Sequence, residues 1–322
     1  MPVRHLVDPE SWAAFESLRA HVPIGPGSDV PLSVRRQMYE GIMRNLSAAE
    51  PDPRVRWHDD EVGGVAVRIY RPRQADGRLP GLVHVHGGGM VVGSVLTDHA
   101  DCLDLCARHG AVVVSVDYCL APEHPHPAAV DDVSAVLERA LAGELDAVDP
   151  SRVVLHGVSA GGGLALGTVL RARDRGEALP ASVIAIYPMI DDRNETPSSL
   201  AVDDIGVWDR GHNVEAWSLY LNGREADAYA APARAVDLSA LPPVYLEVGT
   251  CDLFHDEVVE LAGRLRDAGN DVELRVWEGA FHGSEGIAPD AALSRRIIAV
   301  RRAAIARALH VDAAGGIATL GA

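Results

Sequence analysis

Short apolar runs, each long enough for one buried strand, recur along this chain with helix-spaced segments between them. They predict strands near 64–70, 81–86, 111–117, 152–156, 182–187, 243–248 and 271–277. Leu164, Ala165, Leu166, Val169 and Leu170 repeat at helical spacing up to Arg173, and an apolar helix at 291–309 closes the series. Such alternation predicts an α/β fold, with a mostly parallel central sheet and helices on both faces. The first 50 residues differ: Trp12, Phe15 and Leu18, then Met38, Ile42, Met43 and Leu46, fall at helical spacing and read as one or two helices outside the sheet. A second irregular segment runs from Met189 to about Asp227 and holds Trp208, Trp217, Tyr220 and Leu221. From Asp312 the tail is rich in Ala and Gly and is expected to fray.

The richest local chemistry is Leu155-His156-Gly157-Val158-Ser159-Ala160-Gly161-Gly162-Gly163, a serine between glycines where a predicted strand meets a predicted helix. A turn that tight strains the serine backbone and crowds the positions two before and two after it, so Gly157 and Gly161 fit for lack of a Cβ. The Ser159 hydroxyl would then stand clear of the sheet as a nucleophile. A G-x-S-x-G match also arises by chance, so its context must supply a base, an acid and an oxyanion site.

Position selects the partners among 14 histidines. Groups that serve such a serine follow it in the order acid, then histidine, each on a loop beyond the carboxyl end of a strand. Pro243–Gly249 reads as a strand with Asp252 three residues past its end, and Asp271–Trp277 as another with His282 in the following loop. His255 and Asp256 are rivals, but they fall in the first turn of the next helix, where the dipole alone favours an acid. Asp252 itself could serve only as an N-cap. The oxyanion site is sought at Gly87-Gly88-Gly89-Met90, where a strand runs into uncovered backbone N–H groups. A phosphate cradle is the alternative, but the Gly-Lys-Ser/Thr ending it needs is missing.

Together, His86-Gly87-Gly88-Gly89, the stretch Tyr118-Cys119-Leu120-Ala121-Pro122-Glu123-His124-Pro125 and the segment Asp252–Glu257 make the chain resemble the hormone-sensitive-lipase-like branch of the α/β-hydrolases, which includes many bacterial carboxylesterases. The likeness covers roughly residues 50 to 310. It implies an α/β-hydrolase domain over 51–322, with a helical cap built from residues 1–50 and from the insertion at 189–227, the cap setting substrate choice. It also implies an oxyanion hole from the N–H groups of Gly88, Gly89 and Ala160, with His86 and Glu123 supporting the site from behind. Short acyl chains and a homodimer are further expectations from the resemblance. Met90, Val158, Trp208 and Trp217 are the expected lining of the substrate pocket. The chain departs from the family at Val158, usually Asp, Glu or Thr, at Cys119, usually Arg, and at Met90, usually aromatic.

Composition narrows the partners. With 29 basic and 46 acidic side chains the formal charge is −17, which disfavours nucleic acid, anionic lipid surfaces and strongly anionic substrates, leaving small neutral esters as the best fit. No apolar run approaches bilayer length, and Met1 to Glu10 carries Arg4, His5, Asp8 and Glu10 without an apolar stretch, so no membrane association and a cytoplasmic location are expected. Cys102, Cys106, Cys119 and Cys251 lack zinc-like spacing. His84 and His86 share one strand face and precede Asp98-His99, which imitates a metal set. The H-x-H-x-D-H arrangement would need aspartate and histidine where Gly88 and Gly89 stand, so neither metal nor cofactor is expected. The expected activity is that of a serine carboxylesterase, with amidase or lactone hydrolysis open to the same triad. A ligand-binding protein without turnover is the rival from another class, and the retained set Ser159, Asp252 and His282 argues against it.

Overall fold

The run Val112–Val116 is buried along its whole length, the pattern of a strand covered on both faces, and it lies inside an eight-stranded sheet. The computed structural model describes residues 3–21, 30–46, 52–202, 205 and 208–310. In chain order the strands are β1 (Val55–Val62), β2 (Val65–Pro72), β3 (Leu79–Val85), β4 (Val112–Val116), β5 (Val148–Val158), β6 (Ser182–Ile186), β7 (Val244–Gly249) and β8 (Val272–Trp277). The helices are α1 (Pro9–His21), α2 (Leu32–Leu46), α3 (His99–His109), α4 (Ala128–Leu141), α5 (Ala160–Arg175), α6 (Pro197–Ala201), α7 (Arg210–Leu221), α8 (His255–Asp267), α9 (Ser284–Ile287) and α10 (Ala292–His310).

The sheet order is β1-β2-β4-β3-β5-β6-β7-β8, antiparallel where β2 meets β1 and β4 and parallel from β4 to β8. The larger apolar cluster joins one face of the sheet to α4, α5 and α8 through residues such as Val85, Leu155, Val130, Val169 and Val258. A smaller one joins the opposite face to α3 and α10 through Leu82, Val154, Cys102, Cys106 and Ile305. The sequence reading omits β1. Only its two end residues are buried, and Arg56 to Glu61 face solvent, so an edge strand held by its backbone ladder to β2 carries no apolar alternation. Helices do precede the sheet, at α1 and α2, while the tail from residue 311 lies outside the described residues.

The consequence for chemistry is positional. All six parallel strands point their carboxyl ends the same way, so the loops after β3, β5, β7 and β8 gather at one edge of the sheet. Those loops carry Gly87–Gly89, Ser159, Asp252 and His282.

Candidate active site

Ser159 sits at the junction of β5 and α5 with φ 56° and ψ −118°, a region that residues with a Cβ rarely occupy. Backbone bonds hold it there. Its N–H donates to the Ile186 carbonyl at 2.9 Å, and its own carbonyl accepts from Gly162 at 2.9 Å, Met189 at 3.0 Å and Gly163 at 3.2 Å. The flanking glycines are required by contact: a Cβ on Gly157 would stand 2.1 Å from the Gly161 carbonyl oxygen, and one on Gly161 would stand 2.1 Å from that of Val85.

The structure brings the three polar groups into one chain. His282 Nε2 lies 2.9 Å from Ser159 Oγ, and His282 Nδ1 lies 2.8 Å from Asp252 Oδ2. The second carboxylate oxygen of Asp252 accepts the Phe254 N–H at 3.0 Å, which fixes the acid's rotation. Ser159 and His282 are each 6% exposed and Asp252 1%. The imidazole is also held by two aromatic neighbours, Tyr187 at 4.6 Å and Phe254 at 5.1 Å between ring centroids. Tyr187 donates its hydroxyl to Glu285 at 3.0 Å, and Arg301 bridges Glu285 and Glu247, so the ring's position is set by a buried ion-pair network. Burial raises the Tyr187 phenol well above its ordinary value, which keeps it a donor.

The glycine loop lies against the serine. Gly87 and Gly88 line the same cavity as Ser159 and His282, and a Cβ on Gly87 would stand 3.4 Å from that of Ser159. The N–H groups of Gly88, Gly89 and Ala160 have no acceptor among the described residues, the condition for stabilising an incoming oxyanion. His86 braces this loop: its Nδ1 donates to the Gly87 carbonyl at 2.8 Å, its ring stacks on Tyr118 at 4.1 Å, and burial lowers its pKa so that it stays neutral.

Other expected residues distribute unevenly. Val158 and Trp208 line the cavity; Trp208 stacks on His212 at 5.4 Å and donates to Asn213 Oδ1 at 3.2 Å. Trp217 does not line it. Helical phase on α7 turns that ring inward against Tyr220, where it is 2% exposed. Met90, at φ 59°, is likewise packed into the core rather than along the cavity. Glu123 is solvent-exposed and forms a two-bond ion pair with Arg36, whose guanidinium pulls its carboxyl down to about 2. Arg36 also donates to the Val91 and Ala121 carbonyls, so it ties α2 to the segment after the glycine loop.

The rivals have structural employment. His255 and Asp256 bond to each other in the first turn of α8, and Asp256 accepts the Ser198 N–H, joining α6 to α8, while the Ser198 hydroxyl donates to the Leu253 carbonyl in the loop of Asp252. His84 bonds Asp98, His86 bonds Gly87 and His99 bonds the Tyr70 hydroxyl, so the histidines of the imitated metal set face different partners. Two supports escape the sequence reading: Tyr187, visible only as a strand end, and Glu257, a buried carboxyl raised by desolvation that accepts the Ile190 N–H.

The chain resembles known proteins in sequence and in fold. Residues 82–285 match a family described as alpha/beta hydrolase fold. The esterase LipI of Mycobacterium tuberculosis is 33% identical over 76% of this chain and 79% of its own length. An ethyl acetate hydrolase of Pseudomonas putida is 33% identical over 67% of this chain and 70% of its own. Among solved structures, bacterial heroin esterase superposes with a TM-score of 0.87 at 36% identity, covering 94% of this chain and 98% of that one. The chain belongs to the α/β-hydrolase family, in its hormone-sensitive-lipase-like branch of carboxylic ester hydrolases.

Proposed function

We propose that the chain hydrolyses small, short-acyl, non-anionic esters through a serine acyl-enzyme. The observation that carries this reading is the unbroken chain Ser159–His282–Asp252, with bonds of 2.9 and 2.8 Å, beside unpartnered N–H groups. His282 Nε2 takes the Ser159 proton as Oγ attacks the ester carbonyl, and the tetrahedral oxyanion is held by the N–H groups of Gly88, Gly89 and Ala160. Asp252 keeps the Nδ1–H tautomer and stabilises the imidazolium. The proton then passes to the leaving alcohol oxygen, the C–O bond breaks, and water repeats the sequence on the acyl-enzyme. The N-terminal helices and the 189–227 insertion act as the cap, since Tyr39 of α2 and Trp208 share the cavity with Ser159. The names of the relatives that hydrolyse ethyl acetate and acetyl groups support a short acyl chain.

The test is kcat/KM for 4-nitrophenyl esters of increasing acyl length, run beside Ser159→Ala. A short-chain optimum that vanishes in the variant is expected. Activity retained by Ser159→Ala would remove the nucleophile assignment, and a long-chain optimum would remove the acyl preference.

A further inference from the structure

The cavity over Ser159, about 780 Å³ in all, does not end at the triad. Its lining also takes in His84 and His156 of the sheet, Asp101 and Asp104 of α3, and Arg301 and Arg302 of α10, together called the arm below. His84 and His156 are register partners on β3 and β5, with stacked rings 5.1 Å apart. His84 Nε2 donates to Asp98 Oδ2 at 2.9 Å. With one proton per ring, His84 Nδ1 then accepts from His156 Nδ1 at 2.9 Å, and His156 Nε2 is left as a lone pair. That atom has no partner among the described residues, although His156 is only 3% exposed and lines the arm. Burial holds the His156 imidazole far below its ordinary value, in the neutral form this argument requires.

The carboxylates of the cavity supply the second observation. Glu215 is matched by Arg35, Asp104 by Arg108 and Arg302, Glu285 by Arg301 and Tyr187, and Asp98 by His84. Asp101, solvent-exposed and among the residues lining the cavity, has no hydrogen bond or close ion pair among the described residues, though His84 and Arg301 act on it at longer range. A carboxylate and an imidazole lone pair are both acceptors, so the complementary ligand is a donor with positive charge. No group of three side chains that could ligate a metal occurs among the described residues, which leaves an organic cation.

We propose that this arm binds the ammonium group of an ester substrate, with the Asp101 carboxylate as counter-ion and His156 Nε2 as a hydrogen-bond acceptor. The proposal rests on the esterase reading above and refines it: the acidic chain that repels anionic esters holds one unmatched carboxylate within reach of its own substrate cavity. Charge-assisted contacts are the strong class of hydrogen bond, so one well-placed pair is worth about tenfold in selectivity.

The experiment measures kcat/KM for two isosteric pairs, 4-(aminomethyl)phenyl acetate against 4-ethylphenyl acetate, and 4-nitrophenyl 6-aminohexanoate against 4-nitrophenyl heptanoate. One pair places the ammonium on the alcohol side and the other on the acyl side. The expected result is an ammonium preference of about tenfold in one of the pairs, lost in Asp101→Asn and equally in Asp101→Ser. No preference in the unaltered protein, or a preference unchanged by both substitutions, overturns the proposal. Calorimetric titration with benzylammonium keeps the two readings separable, because it needs no turnover. Its affinity should fall about tenfold in Asp101→Asn, and equal affinity in both proteins refutes the arm whatever the hydrolysis shows. Hydrolysis of 4-nitrophenyl acetate that is absent from the unaltered protein counts against the esterase reading instead.

Discussion

Replacing Ser159 by glycine should abolish activity and stabilise the fold relative to Ser159→Ala. The two variants lose the same hydroxyl and the same bond to His282, so their difference isolates the backbone. At φ 56° and ψ −118° any residue with a Cβ is strained, by about 1–3 kcal/mol, and four backbone bonds hold it in place. Glycine relieves that strain but adds freedom to the unfolded chain, which costs about 0.4–1 kcal/mol. The net gain for glycine over alanine is therefore about 0.5–2 kcal/mol. Unfolding entropy near 2.1 cal/mol/K per residue gives about 0.7 kcal/mol/K for 322 residues, so 1 kcal/mol moves Tm by only about 1.5 °C. Denaturant titration is the better assay, read as a rise in the midpoint at unchanged slope. A midpoint for Ser159→Gly equal to or below that of Ser159→Ala would refute the claim that the elbow stores strain on behalf of the nucleophile.

Four other outcomes are open to measurement. Gly88→Ala puts a Cβ 2.2 Å from the Val92 carbonyl oxygen at φ 108°, so the loop must shift and kcat should fall about 10²–10³; a kcat within threefold of normal would detach this loop from oxyanion binding. Arg36→Ala removes the tie from α2 to the Val91 and Ala121 carbonyls and should raise KM more than it lowers kcat, whereas Glu123→Ala, which removes only an exposed ion pair, should do little; equal effects would show that the carboxylate does the tying. Burial lowers His109 to about 4, below its unfolded value near 6.5, so the unfolded chain takes up the proton first and stability falls with pH between those values. The stability gap between His109→Gln and the unaltered protein should change by about 1 kcal/mol per pH unit in that window, after discount for partial exposure, and a pH-independent gap in denaturant midpoints would contradict it. Asp101, though solvent-exposed, is raised to about 6 by desolvation beside the packed helix and by Asp98 and Glu285, against lowering by His84 and Arg301, so any ammonium-ester preference should fade as pH drops through about 6; a pH-rate series on the isosteric pair that stays flat there would separate the preference from this carboxyl.

How much of this was legible in the sequence depends on whether a feature is local. The elbow, the glycine loop and the two strand-end partners were readable because tight turns and strand ends restrict residue type at fixed spacing. β1 was not, since an edge strand with Arg56 to Glu61 in solvent needs only its hydrogen-bond ladder, and that leaves no apolar signature. Trp208 and Trp217 looked alike as aromatics in one insertion. Trp217 lies inside α7, where helical phase turns it inward, whereas Trp208 precedes the Asp209 cap that starts the helix through its bond to the His212 N–H, a boundary finer than composition. Glu123 stood inside a recognisable stretch, yet its partner Arg36 lies 87 positions away in a helix whose docking no local pattern encodes. Asp101 is the extreme case. It is conspicuous only because the other carboxylates around it are matched, which is a property of the folded cavity and of no segment.

The two faces of the sheet explain why such a polar arm is informative. Val83, Val85 and Leu155 belong to the cluster shared with α4 and α5 and give that face an apolar lining. On the other face Leu82 and Val154 show that apolar side chains fit equally well, yet the next position along each strand on that face is His84 or His156, and Ser115 is the register partner of His84 on β4. Burying an unpaired polar atom costs about 1–3 kcal/mol, and His156 Nε2 lacks a partner among the described residues. Packing and stability would favour valine or leucine at these positions. Of these polar groups His156, which lines the cavity that contains Ser159, keeps an unpaired nitrogen, and a ligand that completes its hydrogen bonds would account for it; that is the sense in which the proposed site extends past Ser159, His282 and Asp252 into the sheet itself.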